Sequence, residues 1–252
     1  MLILLPPSET KRPGGRARPL DLDALALPQL RPQRDAVIDA LVALSGDEET
    51  AARVLKLSAR QRGEIGDNAA IREAPTLPAV DRYTGVLYDA LDASSLGAPA
   101  RRWLGAHVLI QSAPFGPVGA LDPIPAYRLA AGTSLPGLPP LRRVWAEATT
   151  AALGEEAPSF VLDLRSEAYA ALGPLLQASA PGATAYLRVV TDTGGGAVRA
   201  LNHFNKHAKG ELVRQLADQR PRIANAAAFC AWAQGAGLTV RPGAPGELDL
   251  VV

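Results

Sequence analysis

Between Gln111 and Arg128, eighteen residues, the chain sets a hydroxyl (Ser112), a carboxylate (Asp122), a phenol (Tyr127) and a guanidinium (Arg128) among four prolines and two glycines. Proline fixes φ and lacks the ladder donor, while glycine frees φ, so the segment is expected as a shaped loop rather than a long helix or a central strand. A stiff loop has little entropy to lose when it grips a ligand. Arg128 would hold an anion there, and Asp122 is the candidate acid or base. A surface connection with ordinary turn prolines is the other reading of the same residues.

Three further stretches carry groups of the same kind. Ser8-Glu-Thr-Lys11 follows an apolar run and two prolines, which places Ser8 and Lys11 where a strand opens into a loop and suits them to an oxyanion. Ser166 begins Ser-Glu-Ala-Tyr169 at the start of a helix, an anion-receiving position that is also an ordinary N-cap. On a helix over 203–216, Lys206, Gly210 and Arg214 fall on adjoining turns with Lys209 beside them, so cations border a position without a side chain. Arg82 and Tyr83 precede Gly85 and Tyr88, a pattern that makes either a flat aromatic platform or plain core. His203 and His207 stand four apart but lack a third ligand at suitable spacing, so no metal and no cofactor is expected.

The elements that must position these groups are short. Leu2–Leu5, 107–111, 160–164 and 185–191 read as strands, with two more at 238–241 and 247–252. Helices are expected over 34–44, from a capping box at Ser45-Gly-Asp-Glu48 to about Leu57, and over 141–153, 203–216 and 221–234. The stretch 12–32, rich in Pro, Gly and Arg, reads as an exposed, mobile loop, and Asp192-Thr-Gly-Gly-Gly196 as a hairpin turn. The fold class is α+β: one mixed domain over 1–252 with short central strands surrounded by helices, and a helical hairpin over about 34–71.

Composition narrows the class. With 48% hydrophobic residues in 252 the chain can bury a large core, and a net charge of +1 means any anion site is built by local clustering. A lone cysteine, Cys230, expected buried, excludes a disulfide framework and suits a cytoplasmic protein. No apolar stretch approaches the ~18 residues of a membrane span, so no membrane partner is expected.

Taken together, these segments resemble the bacterial YaaA family of peroxide-stress proteins. The 111–128 loop is similar to the family's Pro-Leu-Asp…Ile-x-Pro-Tyr-Arg pattern, Ser8 to Lys11 to its Ser-Pro-Ala-Lys-Thr, and Arg82 to Tyr88 to its Phe-x-Gly-x-Val-Tyr. Ser166, Glu167 and Tyr169 match its Ser-x-Glu-Tyr segment, and Phe204 to Arg214 its Lys-Lys-Ala-Arg-Gly-x-x-x-Arg helix. Leu55 to Arg62 resembles a segment that belongs to a helix-hairpin-helix element in the family. The resemblance implies contact with double-stranded DNA through Lys56, Arg60 and Arg62, and a role in limiting iron- and peroxide-mediated damage. The residues themselves suggest one pocket for an anionic small molecule or nucleotide-like ligand. Whether such a protein is an enzyme stays open: the alternative function is cleavage or transfer at a glycosidic bond, in a specialised biosynthetic pathway.

Overall fold

The computed structural model describes residues 1–156, 158–175, 182–191 and 202–252, with backbone alone at 202 and 203. The expected turn at 192–196 and the side chain of His203 lie outside these residues. Short apolar runs make the sheet: β1 (Leu2–Leu5), β3 (Val108–Ser112), β6 (Val161–Asp163), β7 (Thr184–Val190) and β9 (Glu247–Val251). β1, β3 and β6 are short and buried almost throughout, the pattern of strands covered on both sides, whereas β9 alternates, with Leu248 and Leu250 buried between half-buried Glu247, Asp249 and Val251. They pair in parallel, and β4 (Gly116–Gly119) and β8 (Thr239–Pro242) close the two edges antiparallel. The order among the described residues is β4-β3-β1-β6-β7-β9-β8. A two-residue pair, β2 (Leu77–Pro78) with β5 (Pro123–Ile124), stands apart. The expected mixed fold of short strands surrounded by helices is what is found, and its sheet is mainly parallel.

Helices fill the connections: α1 (Arg31–Ser45), α2 (Glu48–Val54), α3 (Glu64–Ala69), α4 (Ala79–Arg82), α5 (Val86–Leu91) and α6 (Ala98–His107) lie between β1 and β3. Beyond them come α7 (Leu141–Glu155), α8 (Glu167–Ala170), α9 (Asn202–Gln219) and α10 (Ala226–Gly235). The α1 stripe Val37, Ile38, Leu41 and Leu44 is buried, as its spacing requires. α9 lies closely on α5, because Gly210 has no side chain: a Cβ there would overlap the Leu87 carbonyl.

Four local expectations need correction. Asp47, not Ser45, caps α2, accepting from the Thr50 amide at 3.2 Å, while Ser45 donates back to the Leu41 carbonyl and ends α1. The 12–32 stretch is anchored rather than loose, since Leu22, Leu25, Leu27 and Leu30 are buried around two 3-10 turns. Cys230 is half-buried. The 111–128 segment is a loop only in part, for it first turns back as edge strand β4. That turn needs Gly116, whose φ of 64° is left-handed and whose Cβ would lie 2.7 Å from the Trp145 ring.

Candidate functional site

From β1 the chain crosses to β3 on one side and then returns to β6 on the other. At such a reversal the loops leaving the strand ends diverge, and the space between them is where open parallel sheets hold ligands. A cleft of about 870 Å³ opens here, at the ends of β1 and β6 and against β7. Ser8, Glu9 and Thr10 border it from the loop after β1, and Ser166, Glu167 and Tyr169 from the loop and helix after β6. Lys206 and Lys209 reach it from α9.

The loop after β1 is held from below. Thr10 Oγ1 donates to the Thr84 carbonyl at 3.2 Å, and Gly85, at φ 93°, lets the Ser8 and Thr10 hydroxyls come close to its backbone. Lys11 Nζ turns back to donate to the Ser8 and Glu9 carbonyls at 3.1 and 3.2 Å and sits 4.0 Å from the centre of the Tyr127 ring. Burial, with Arg128 nearby, lowers its pKa to about 7.

Arg128 is the cation behind this wall. Asn68, fully buried, clamps its backbone with two hydrogen bonds, from Asn68 Nδ2 to the Arg128 carbonyl and from the Arg128 amide to Asn68 Oδ1. Its guanidinium pairs with Glu9 at 3.2 Å and Glu64 at 3.5 Å. Tyr169 is packed in beside Glu9 and Arg128, and burial raises its phenol to about 12.

The floor is built on a buried ion pair. Arg165 donates through Nε and Nη2 to the two oxygens of Asp163 at 2.9 and 2.7 Å, and through Nη1 to Gln111 at 3.1 Å. Both partners are buried. Lys209 lies above, donating to the Leu164 carbonyl at 3.0 Å, and burial lowers its pKa to about 8 against the opposing charge of Asp163. Lys206, one turn earlier on α9, is exposed.

The sequence candidates therefore divide. Ser8, Ser166, Tyr169, Lys206 and Lys209 share the cleft; Arg128 and Lys11 stand just behind it. Tyr83, Tyr127 and Ser112 are buried inside, with the two phenol oxygens 2.8 Å apart and Ser112 Oγ accepting from the Phe115 amide. Arg82 is fully buried and donates to the carbonyls of Ile124, Arg12, Gly14 and Pro75, which fixes the start of the 12–32 stretch. Asp122 is spent on the backbone, accepting from the Ala26 and Gly119 amides at 2.7 Å each. In the helical segment Arg62 pairs with Glu48 and Glu49, whereas Lys56 and Arg60 have no ion pair among the described residues. Sequence reasoning did not single out Thr84, Asn68 and Glu64. Each acts through a partner about sixty or more positions away, so no local spacing could signal it.

Comparison with known proteins fits this arrangement of motifs. The family model described as peroxide stress protein YaaA matches residues 1–238. A UPF0246 protein of Corynebacterium efficiens is 45% identical over the whole of both chains, and one of Corynebacterium glutamicum is 42% identical over the same extent. A UPF0246 protein of Streptomyces coelicolor is 45% identical over 86% of this chain and 82% of its own. Match and relatives span the loops that form the cleft, its floor and the α9 lysines, and the chain belongs to the YaaA family of peroxide stress proteins.

Proposed function

We propose that the chain is a cytoplasmic oxidative-stress protein whose cleft takes a phosphate-bearing, nucleotide-like anion. The observation that carries this reading is the gathering of hydroxyls from Ser8, Thr10 and Ser166 and amines from Lys206 and Lys209 in one cleft of a chain with net charge +1. Without a global field, an anion is drawn only where cations cluster. Charge-assisted bonds would supply affinity and the hydroxyls orientation. Thermal shift with nucleosides, nucleotides and inorganic phosphate tests it, because a ligand at 100 times its Kd adds ~2.7 kcal/mol of stability. Nucleotides and phosphate should raise Tm and nucleosides far less; a wild-type chain indifferent to the whole panel rules the reading out.

Duplex DNA is a second partner under this proposal, shielded from iron and peroxide by the bound protein. Its support is Lys56, which holds φ 55° at the end of α2, where glycine would be unstrained. A strained cation without an ion pair suits a phosphate contact, and Arg60 is close in sequence. Binding should weaken steeply with salt, by a log–log slope of about 0.9 for each phosphate neutralised. No complex at low salt removes this partner. If the cleft also turns over its ligand at a glycosidic bond, the acids bordering that ligand are Glu9 and Glu167, not Asp122.

A further inference from the structure

The chain meets its need for positive charge almost entirely with arginine: 22 arginines against four lysines. Of those four, Lys206 and Lys209 border the cleft, Lys11 stands directly behind its wall, and Lys56 alone is elsewhere. Arginine matches lysine or exceeds it as an anion holder, but it does not give up its proton in proteins and so cannot be a nucleophile. Lysine set in the cleft of an arginine-using chain is therefore informative.

Lys209 is the unusual one. It is 6% exposed, and among the described residues no carboxylate lies within 4 Å of its amine. The nearest acid that influences it, Asp163, has both oxygens engaged by Arg165. Among the described residues its hydrogen bond goes to the Leu164 carbonyl, and the Tyr186 ring lies 5.9 Å away. A buried ammonium without a counter-ion is costly, and the neutral amine is the form such surroundings favour. Lys11 is enclosed too, but its amine is spent on two carbonyls and the Tyr127 face and does not border the cleft.

We propose that Lys209 is a carbonyl-capturing amine: the cleft takes an aldehyde that also carries a phosphate, with Lys206 holding the anion while Nζ of Lys209 forms an imine at the carbonyl carbon. The inference rests on the reading of the cleft as an anion site and names the ligand class more narrowly. In the first step the Nζ lone pair forms the C–N bond, the C=O π pair moves to oxygen, and the proton lost by nitrogen reaches that oxygen through solvent. The carbinolamine then loses its hydroxyl and the remaining nitrogen proton as water. Amine and aldehyde give imine and water, with no oxidant or reductant.

The test uses the full wild-type chain with D-glyceraldehyde 3-phosphate and sodium cyanoborohydride near neutral pH, followed by peptide mass mapping of all four lysines. The reduced adduct should form on Lys209 at least about tenfold faster than on exposed Lys56, because an enclosed amine without a counter-ion favours its neutral, nucleophilic form. D-Glyceraldehyde, without the phosphate, should label Lys209 several-fold more slowly, and Lys206→Ala should erase that preference. Lys209→Arg should carry no adduct at 209, with labelling of Lys56 at its wild-type rate. Even labelling of the four lysines, or a preference for Lys11 or Lys56, overturns the proposal. A phosphate Tm shift with Lys209 unlabelled overturns it while leaving the anion site standing. Selective labelling of Lys209 that ignores the phosphate, with no phosphate Tm shift, overturns the anion-holding role and the reading beneath it. The wild-type mapping decides even if a variant does not fold.

Discussion

The carboxylate of Glu9 stands 3.2 Å from the guanidinium of Arg128, one borders the cleft and the other lies behind it, and the pair is lopsided: Glu9 is 70% exposed and Arg128 13%. An exposed acid thus faces an enclosed cation whose backbone is held by Asn68 and whose other side is met by Glu64. The cleft wall carries its own anion where a bound anion would gain most.

Glu9→Gln should therefore tighten binding of inorganic phosphate. The pair is half in solvent, so it is worth only ~0.2–1 kcal/mol, and the expected gain is about 1.4- to fivefold in Kd. Titration calorimetry at low salt measures it. Weaker binding in Glu9→Gln would mean that Glu9 contacts the ligand rather than competing with it.

Beneath the cleft, Asp163 and Arg165 make a pair whose loss cannot be relieved by water. Asp163→Asn leaves the Arg165 guanidinium buried and uncompensated, at a cost of about 3–5 kcal/mol. Urea unfolding reads this directly, and a loss below about 1 kcal/mol would show that the floor rearranges. Replacing both residues by apolar ones of similar volume should cost far less, because the expense comes from the orphaned charge.

The two enclosed lysines set a pH dependence of stability. Folding lowers Lys11 from 10.5 to about 7 and Lys209 from 10.5 to about 8, through burial first. Between those values and 10.5 the unfolded chain binds more protons, so stability rises with pH across that window. Above about pH 10 the raised phenols of Tyr83, Tyr88 and Tyr127 act in the opposite sense, since the unfolded chain loses those protons first. The charges facing Lys11 are Arg128, Glu64, Glu9 and Arg82, and the one acting on Lys209 is Asp163. The urea midpoint should climb from about pH 7 to 9.5, and a Lys11→Met, Lys209→Met double variant should flatten that climb.

How much of this was legible beforehand depends on how local each cause is. Leu2–Leu5 was placed to the residue because four apolar residues before two prolines leave few alternatives. The cleft residues Ser8, Ser166, Lys206 and Lys209 were each visible as polar groups at element ends. That they face one another was not visible, since it follows from the strand order, in which β1 lies between β3 and β6. Asp122 looked catalytic as the one carboxylate of a stiff loop; it is spent on the Ala26 amide, from far earlier in the chain, and on the Gly119 amide within its own turn. Arg82 was a candidate through its place in the family's segment, and its carbonyl acceptors reach back to Arg12. The edge strand β4 was hidden by its composition, Gly-Pro-Val-Gly, which an edge tolerates and a centre does not.

Lys56 offers a separation of stability from binding. A non-glycine residue in the left-handed region costs roughly 1–2 kcal/mol, and glycine repays part of that through its larger unfolded-state entropy. Lys56→Gly should stabilise the chain by about 0.5–1 kcal/mol in urea while lowering DNA affinity and the salt slope by about one unit. Gain in stability with unchanged DNA binding would remove Lys56 from any interface.

Gly210→Ala sets two effects of opposite sign against each other. In a helix interior alanine is favoured over glycine by about 0.8–1 kcal/mol, so propensity alone forecasts a more stable α9. The packing says otherwise, because the added Cβ would overlap the Leu87 carbonyl and come within 2.8 Å of Ala90 Cβ, and a backbone carbonyl in α5 cannot rotate away as a side-chain tip can. Overpacking of this kind costs typically 1–3 kcal/mol, which exceeds the propensity gain and pushes α9 off α5. Lys206 and Lys209 ride on the displaced helix one turn and one residue before Gly210, so phosphate binding should fall along with stability. Thermal unfolding with and without inorganic phosphate separates the outcomes: a lower Tm and a smaller phosphate shift are expected together. A raised Tm would mean that α9 slides along α5 without cost, and the glycine would then have no part in holding the two lysines at the cleft.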